Sequence, residues 1–109
     1  MRILNNQIVN YIGLGSRADI EHAAGIESTF LVSVTNKIFD IGKPAIFRLY
    51  SQNSGKLLNE WITVVDSSSV ITWTISNAEL LLLKPLDYFI EATYETELLF
   101  YGTFKLNKI

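Results

Sequence analysis

Leu83-Lys84-Pro85-Leu86-Asp87-Tyr88 opens the last third of the chain, and two alternating runs follow it as far as Leu106. The segment reads as a proline-braked corner feeding a β-hairpin. Ile90, Ala92 and Tyr94 fall on one face of the outgoing strand, and Leu98, Phe100, Gly102, Phe104 and Leu106 repeat the period of two on the return. With Glu95-Thr96-Glu97 as the loop, Tyr94 pairs with Leu98, Ala92 with Phe100, Ile90 with Gly102 and Tyr88 with Phe104. Every inward residue then meets an inward residue, which no one-residue slip preserves. The loop lacks the glycine that a three-residue hairpin favours.

The chain before this hairpin continues the pattern back to Ser28. Phe30, Val32 and Val34 alternate with Thr29, Leu31, Ser33 and Thr35; Ala45, Phe47 and Leu49 alternate with Ile46, Arg48 and Tyr50. Leu57 to Val65 is a third run, with Trp61 and Ile62 on opposite faces and the inner one undetermined. Ile71, Trp73 and Ile75 alternate with Val70, Thr72 and Thr74. Turn-rich stretches, Gln52 to Lys56 and Asp66 to Ser69, punctuate these runs. Asn77 to Leu81 reads as a capped helical turn crossing between sheets. Short strands at short intervals predict an all-β, antiparallel sandwich, with a small closed barrel as the other arrangement of the same period. Its expected core is Phe30, Val32, Val34, Phe47, Leu49, Ile71, Trp73, Ile90, Ala92, Phe100 and Phe104.

Residues 1–27 read differently and are taken as an N-terminal arm preceding a sandwich domain over 28–109. Ile8 to Leu14 reads as a short strand. Ser16 is placed to cap a short helix over Arg17 to Ala24, with Asp19 in its first turn and Gly25 as its stop. Ile20 is the only large apolar residue there, so this helix would need a sandwich or a neighbouring subunit to lean on.

At 109 residues with 49% apolar and 18% charged side chains, the chain has enough apolar material for one packed domain. The net charge of −2 and scattered basic residues argue against nucleic-acid binding. Cysteine is absent, which excludes disulfides and thiolate chemistry. The polar start of the chain does not read as a signal peptide, and the longest apolar run, Leu80 to Leu83, is too short to span a bilayer. A soluble protein without membrane contact is expected, cytoplasmic unless virion-borne.

Two resemblances build on these motifs. The stretch from Leu83 to Tyr88 resembles the tyrosine corner of immunoglobulin-like and fibronectin type III domains, although it is one residue shorter than the fibronectin version and lacks its glycine. The resemblance implies that the Tyr88 hydroxyl ties back to the preceding loop. The order from Val34 to Leu106 is similar to immunoglobulin-like domains of phage virion proteins, especially the N-terminal domain of baseplate upper proteins. It rests on Ser54-Gly55-Lys56, an aromatic middle strand, Tyr88, Ile90 and Ala92, and Gly102-Thr103-Phe104-Lys105-Leu106. This likeness implies a structural role in a virion, partnered by other virion proteins, and brings no catalytic residues or cofactor with it.

Candidate chemistry in the residues themselves is sparse. Gly13-Leu14-Gly15-Ser16-Arg17-Ala18 fits the spacing of a dinucleotide-binding turn but lacks a βαβ setting, so a glycine turn is the better reading. His22, the only histidine, has Glu21, Asp19 and Ser16 nearby, but neighbours on one short helix cannot converge as a triad; a solvated or interface histidine is expected. Glu91, Glu95 and Glu97 surround one hairpin end without the oxygen-rich loop that calcium needs. No catalytic, cofactor or metal site is expected. The notable class is outward apolar residues: Phe89, Leu99 and Tyr101 on the hairpin, with Tyr50 and Ile46 on an earlier strand. They form a candidate interface, for another assembly protein or a second copy, unless the arm covers them. The expected function is therefore a non-enzymatic interaction module, most simply of a phage tail or baseplate. The alternative is a carbohydrate- or cell-surface-binding module with Trp61 as its stacking platform.

Overall fold

The computed structural model describes residues 2–5 and 9–108, and their regular structure is β-strand throughout. In chain order the strands are β1 (Arg2–Ile3), β2 (Val9–Ile12), β3 (Ser16–Arg17), β4 (Asp19–Ala24), β5 (Ser28–Val34), β6 (Pro44–Tyr50), β7 (Leu57–Val64), β8 (Ile71–Ile75), β9 (Asp87–Tyr94) and β10 (Glu97–Lys108). The larger sheet has the order β1-β4-β10-β9-β6-β7, with β3 also beside β10; the smaller is β2-β5-β8. The two sheets enclose a single apolar cluster, so the arrangement is an open sandwich rather than a closed barrel.

Alternation sets which side chains meet. All eleven expected core residues, Phe30 to Phe104 in the order above, are buried. Trp73 lies at the centre: it stacks on Phe47 at 4.5 Å and 5°, tilts against Phe30 at 5.1 Å, and takes the edge of Trp61 at 5.3 Å. Phe30 and Trp73 come from the smaller sheet, Phe47 and Trp61 from the larger, so these rings join the two layers. Offset and edge contacts of this kind add about 0.5–1.5 kcal/mol each beyond area burial. At one end of the sandwich Phe39 packs edge-on against Tyr94 at 5.1 Å, and the Tyr94 hydroxyl accepts the Asp40 N–H at 2.8 Å.

The hairpin of β9 and β10 has the expected pairs Ala92–Phe100, Ile90–Gly102 and Tyr88–Phe104. Near its turn the pairing differs. Glu97 opposes Tyr94 and Leu98 opposes Thr93, so the loop shrinks to Glu95-Thr96, with Glu95 at φ 55° in place of a glycine. The residue gained there is absorbed by a bulge between Leu98 and Phe100, where two residues of one strand face one of the other. At the other end of β9, the Tyr88 hydroxyl donates to the Lys84 carbonyl at 2.7 Å, the tie that the tyrosine corner implies.

The helix expected over Arg17 to Ala24 is replaced by strand. β4 runs parallel to β10, pairing Ile20 with Phe104 and Ala24 with Lys108, and β3 pairs Ser16 with Phe100. Ile20, His22 and Ala24 face the core in strict alternation with the half-buried Asp19, Glu21 and Ala23. An eight-residue helix with one large apolar residue would satisfy only its own backbone, whereas the long edge of β10 offers hydrogen-bond partners to an extended one. β1 pairs with β4 and β2 with β5, both parallel, so the N-terminal segment is bonded into both sheets and the larger sheet is mixed. Within the strand read from Ile8 to Leu14, Val9–Ile12 is strand and Ile8 lies outside the described residues. The crossover after β8 does join the two sheets, but through successive turns rather than a helical turn.

Candidate functional site

The outward face of the larger sheet is built by register. On β6, β9 and β10, Tyr50 stands opposite Phe89 and Phe89 opposite Thr103; one row along, Arg48 stands opposite Glu91 and Glu91 opposite Tyr101. β3 extends this second row by placing Arg17 opposite Tyr101. The pleat therefore gathers Tyr50, Phe89 and Tyr101 around a groove of about 330 Å³, with Arg17, Glu91 and Thr103 also in its lining. Phe89 is 48% exposed and Tyr101 47%, large values for aromatic side chains in mid-strand.

The five candidate interface residues separate on this face. Tyr50, Phe89 and Tyr101 share the groove; Ile46 lies farther along β6, half-buried, opposite Thr93 and Ile62. Leu99 is buried and does not belong to the outward strip. The bulge is the cause: beyond its extra residue, both Leu99 and Phe100 are core residues, and Leu98 is left on the surface. Arg17 and Gly55, which also border the groove, were not among the candidates. The helix reading hid Arg17, since only a strand parallel to β10 places it beside Tyr101.

The charged groups around the groove are paired. The Arg48 guanidinium donates to Glu60 at 2.9 Å and lies 3.7 Å from Glu91. Arg17 donates to the Thr103 hydroxyl at 3.3 Å and lies 3.5 Å from the Asp19 carboxylate. Asp19 accepts the Thr103 N–H at 2.9 Å, and this hydrogen bond, outweighing the effect of burial and aided by Arg17, holds its carboxyl below the usual value. The hairpin acids go to separate partners, Glu91 to Arg48, Glu95 to Lys43 and Glu97 to Lys37. Among the described residues no three histidines, aspartates or glutamates gather as metal ligands.

Three further readings are settled by position. Trp61 faces inward, 8% exposed, and its indole N–H donates to Glu79, so it offers no platform for a sugar. Ile62 is the exposed one of that pair. His22 is neither solvated nor at a surface: on the inner face of β4 it is 1% exposed, its Nδ1 lies 2.7 Å from the Ser28 hydroxyl, and its Nε2 has no partner among the described residues. Burial lowers its pKa below the usual 6.5, partly opposed by the charge of Glu79. Gly13 to Ser16 form a tight turn in which the Ser16 hydroxyl donates to the Gly13 carbonyl at 2.7 Å, and the chain then enters β3, so no helix N-terminus exists there to meet a phosphate.

No family model matches the chain, and no curated protein matches it. Among solved structures, an immunoglobulin-like protein from Pseudomonas aeruginosa matches at 10% identity over 82% of this chain and 77% of that one, with a TM-score of 0.48. The N-terminal domain of ORF48 from phage TP901-1 matches at 14% identity over 92% of this chain and 98% of that one, with a TM-score of 0.57. The two-sheet sandwich of this chain therefore shares the fold of that phage domain almost end to end.

Proposed function

We propose that this chain is a non-enzymatic structural module that joins other proteins of a phage virion, at the tail or baseplate, through the outward face of its larger sheet. The observation that carries this reading is the groove at which Tyr50, Phe89 and Tyr101 remain open while the charges beside them are paired. Aromatic side chains with a satisfied polar rim are the usual composition of a protein-binding centre. The near end-to-end likeness to a phage domain supports a virion setting. A sugar-binding role loses its support with the burial of Trp61.

Incorporation into particles tests the proposal. A tagged chain is expressed from the phage or prophage that encodes it, particles are purified, and the tag is quantified per particle. Wild type is expected in the particles. Tyr101→Glu should fall at least about tenfold, because it buries an unpaired acid beside Glu91 in a desolvated contact. Circular dichroism of the purified variant should stay unchanged, since Tyr101 is half exposed. Absence of the wild-type chain from particles overturns the virion reading, and equal incorporation of the variant overturns this face as the contact.

A further inference from the structure

Most sheet edges in this fold are short. The larger sheet ends at β7 on one side and at the two-residue strands β1 and β3 on the other, and the smaller ends at β2, of four residues, and β8, of five. β7 runs for eight. Sheets usually guard so long an edge with lysine, proline or a bulge, because its unpaired N–H and C=O groups invite another strand. In β7 the register shift lies at the start, near Leu57, and Trp61-Ile62-Thr63-Val64 carries neither charge nor proline.

The residue just past the strand shows which backbone groups are free. The Val65 N–H donates to the Lys43 carbonyl at 2.9 Å and the Val65 carbonyl accepts the Gly42 N–H at 2.8 Å, so both polar groups face the β6 side. An antiparallel ladder alternates, so Thr63 and Trp61 also bond toward β6, while Glu60, Ile62 and Val64 turn their N–H and C=O groups to the open side. Among the described residues no strand lies there to meet them. The side chains of these three stand on the outward face, Ile62 at 64% exposure and Val64 at 63%. Ile62 is opposite Ile46 and Val64 opposite Pro44, so this end of the edge is apolar. Glu60 shares its cation: Arg48 lies 2.9 Å from Glu60 and 3.7 Å from Glu91, which leaves these three groups with one negative charge.

From this row we infer that the open edge of β7 takes an extended strand of another protein, laid antiparallel to it, with a lysine or arginine facing Glu60 and β-branched residues facing Ile62 and Val64. What is unpaired is backbone, at alternate residues about 7 Å apart, and only another extended backbone meets it with donors and acceptors in step. The side chains then select the sequence, since β-branched pairs and opposite charges are the favourable cross-strand neighbours. A second copy's β7 is the poorer occupant. A twofold pairing centred on Glu60 opposes two carboxylates, and one centred on Thr63 sets Glu60 against Asp66. Centred on Trp61, Ile62 or Val64, it sets an acid against an apolar side chain. The edge is separate from the aromatic groove, and the inference does not depend on the virion reading.

The probe is the synthetic peptide Thr-Val-Thr-Val-Thr-Lys-Thr, whose two valines and lysine fall opposite Val64, Ile62 and Glu60. It is titrated to about 2 mM into isotope-labelled protein and followed by NMR, a range that reaches weak contacts. The amide signals of Glu60, Ile62 and Val64 should shift, and their hydrogen exchange should slow at least about tenfold in the complex. The same peptide N-methylated at both valines lacks the N–H groups aimed at β7 and should bind at least about tenfold more weakly. Ile62→Lys, the guard that this edge lacks, should weaken binding as much, with an unchanged thermal melt because the side chain is exposed. No shift up to the highest concentration, or equal binding of the N-methylated peptide, overturns the inference. So does a wild type whose mass in sedimentation equilibrium rises from 12.3 kDa toward twice that and falls back with Ile62→Lys, which would put a second copy on the edge.

Discussion

Tyr88 shows how one hydroxyl can fix a corner. Around Pro85 the chain turns outside any strand before β9 begins at Asp87, and the phenol closes that turn by donating to the Lys84 carbonyl at 2.7 Å. Burial raises its pKa above the usual 10.0, more than the hydrogen bond lowers it, so the donor stays protonated through the neutral range. Tyr88→Phe keeps the ring and removes the donor. The expected loss is about 0.5–1.5 kcal/mol, the net value of one hydrogen bond. Urea melts of the two proteins read it directly, and an unchanged midpoint would leave Tyr88 as a packing ring alone. This tie was legible through the resemblance of the stretch from Leu83 to Tyr88 to a tyrosine corner, which implies it. The position of Trp61 was not, since both faces of its strand carry large apolar residues and alternation alone does not say which is inner.

Strands from Ser28 onward could be read from their period because the inward residues are large. β4 could not. Its inward residues are Ile20, His22 and Ala24, and its outward ones include Asp19 and Glu21, so size and polarity hardly alternate. Ser16, Asp19 and Gly25 then imitate a helix cap, a first-turn acid and a stop. What favours the strand is long-range, the open edge of β10, and no local window contains it. Gly102 records the same junction. Between the β3 and β4 pairings, the Ala18 N–H donates to the Tyr101 carbonyl at 2.8 Å, and a Cβ on Gly102 would lie 1.9 Å from the Ala18 carbonyl oxygen. The atoms it would strike hardest are backbone, so no flexible side chain can yield to relieve them. Gly102→Ala should therefore destabilise by more than about 2 kcal/mol and loosen β4 first. Hydrogen exchange is the check, with amides of β4 losing protection before those of β6. Uniform protection would show that the junction relaxes at little cost. The bulge that buries Leu99 was hidden for a related reason: one added residue reverses the faces on one side of it, and a run such as Leu98-Leu99-Phe100 is apolar in either register.

Rings join the two sheets, and so does the polar contact between His22 and Ser28, which should make the fold sensitive to acid. His22 belongs to the larger sheet and Ser28 to the smaller, 2.7 Å apart across the turn that links β4 to β5. A neutral imidazole can satisfy Nδ1 there and leave Nε2 against apolar neighbours, Phe104 among them at 6.2 Å between ring centroids. A protonated ring needs an acceptor at both nitrogens, and the described residues provide none at Nε2. Burial accordingly lowers the pKa in the folded state below 6.5, with Glu79 opposing only in part. As pH falls through 6.5, the unfolded chain takes up a proton that the folded chain refuses. The unfolded state then binds more protons, and stability declines with a slope of at most about 1.4 kcal/mol per pH unit until the folded pKa is passed. Above 6.5 the ring is neutral in both states and contributes no pH dependence. Carboxylates such as Asp19 also weaken the fold in acid, but they are common to wild type and variant, so a comparison cancels them. His22→Gln keeps a group able to bond Ser28 and cannot titrate. Urea melts of both proteins at steps between pH 8 and pH 5 should show parallel behaviour above 6.5 and a steeper loss for wild type below it. Parallel curves throughout would mean that the folded protein accepts the proton after all, and that the seam between the sheets opens or hydrates to receive it.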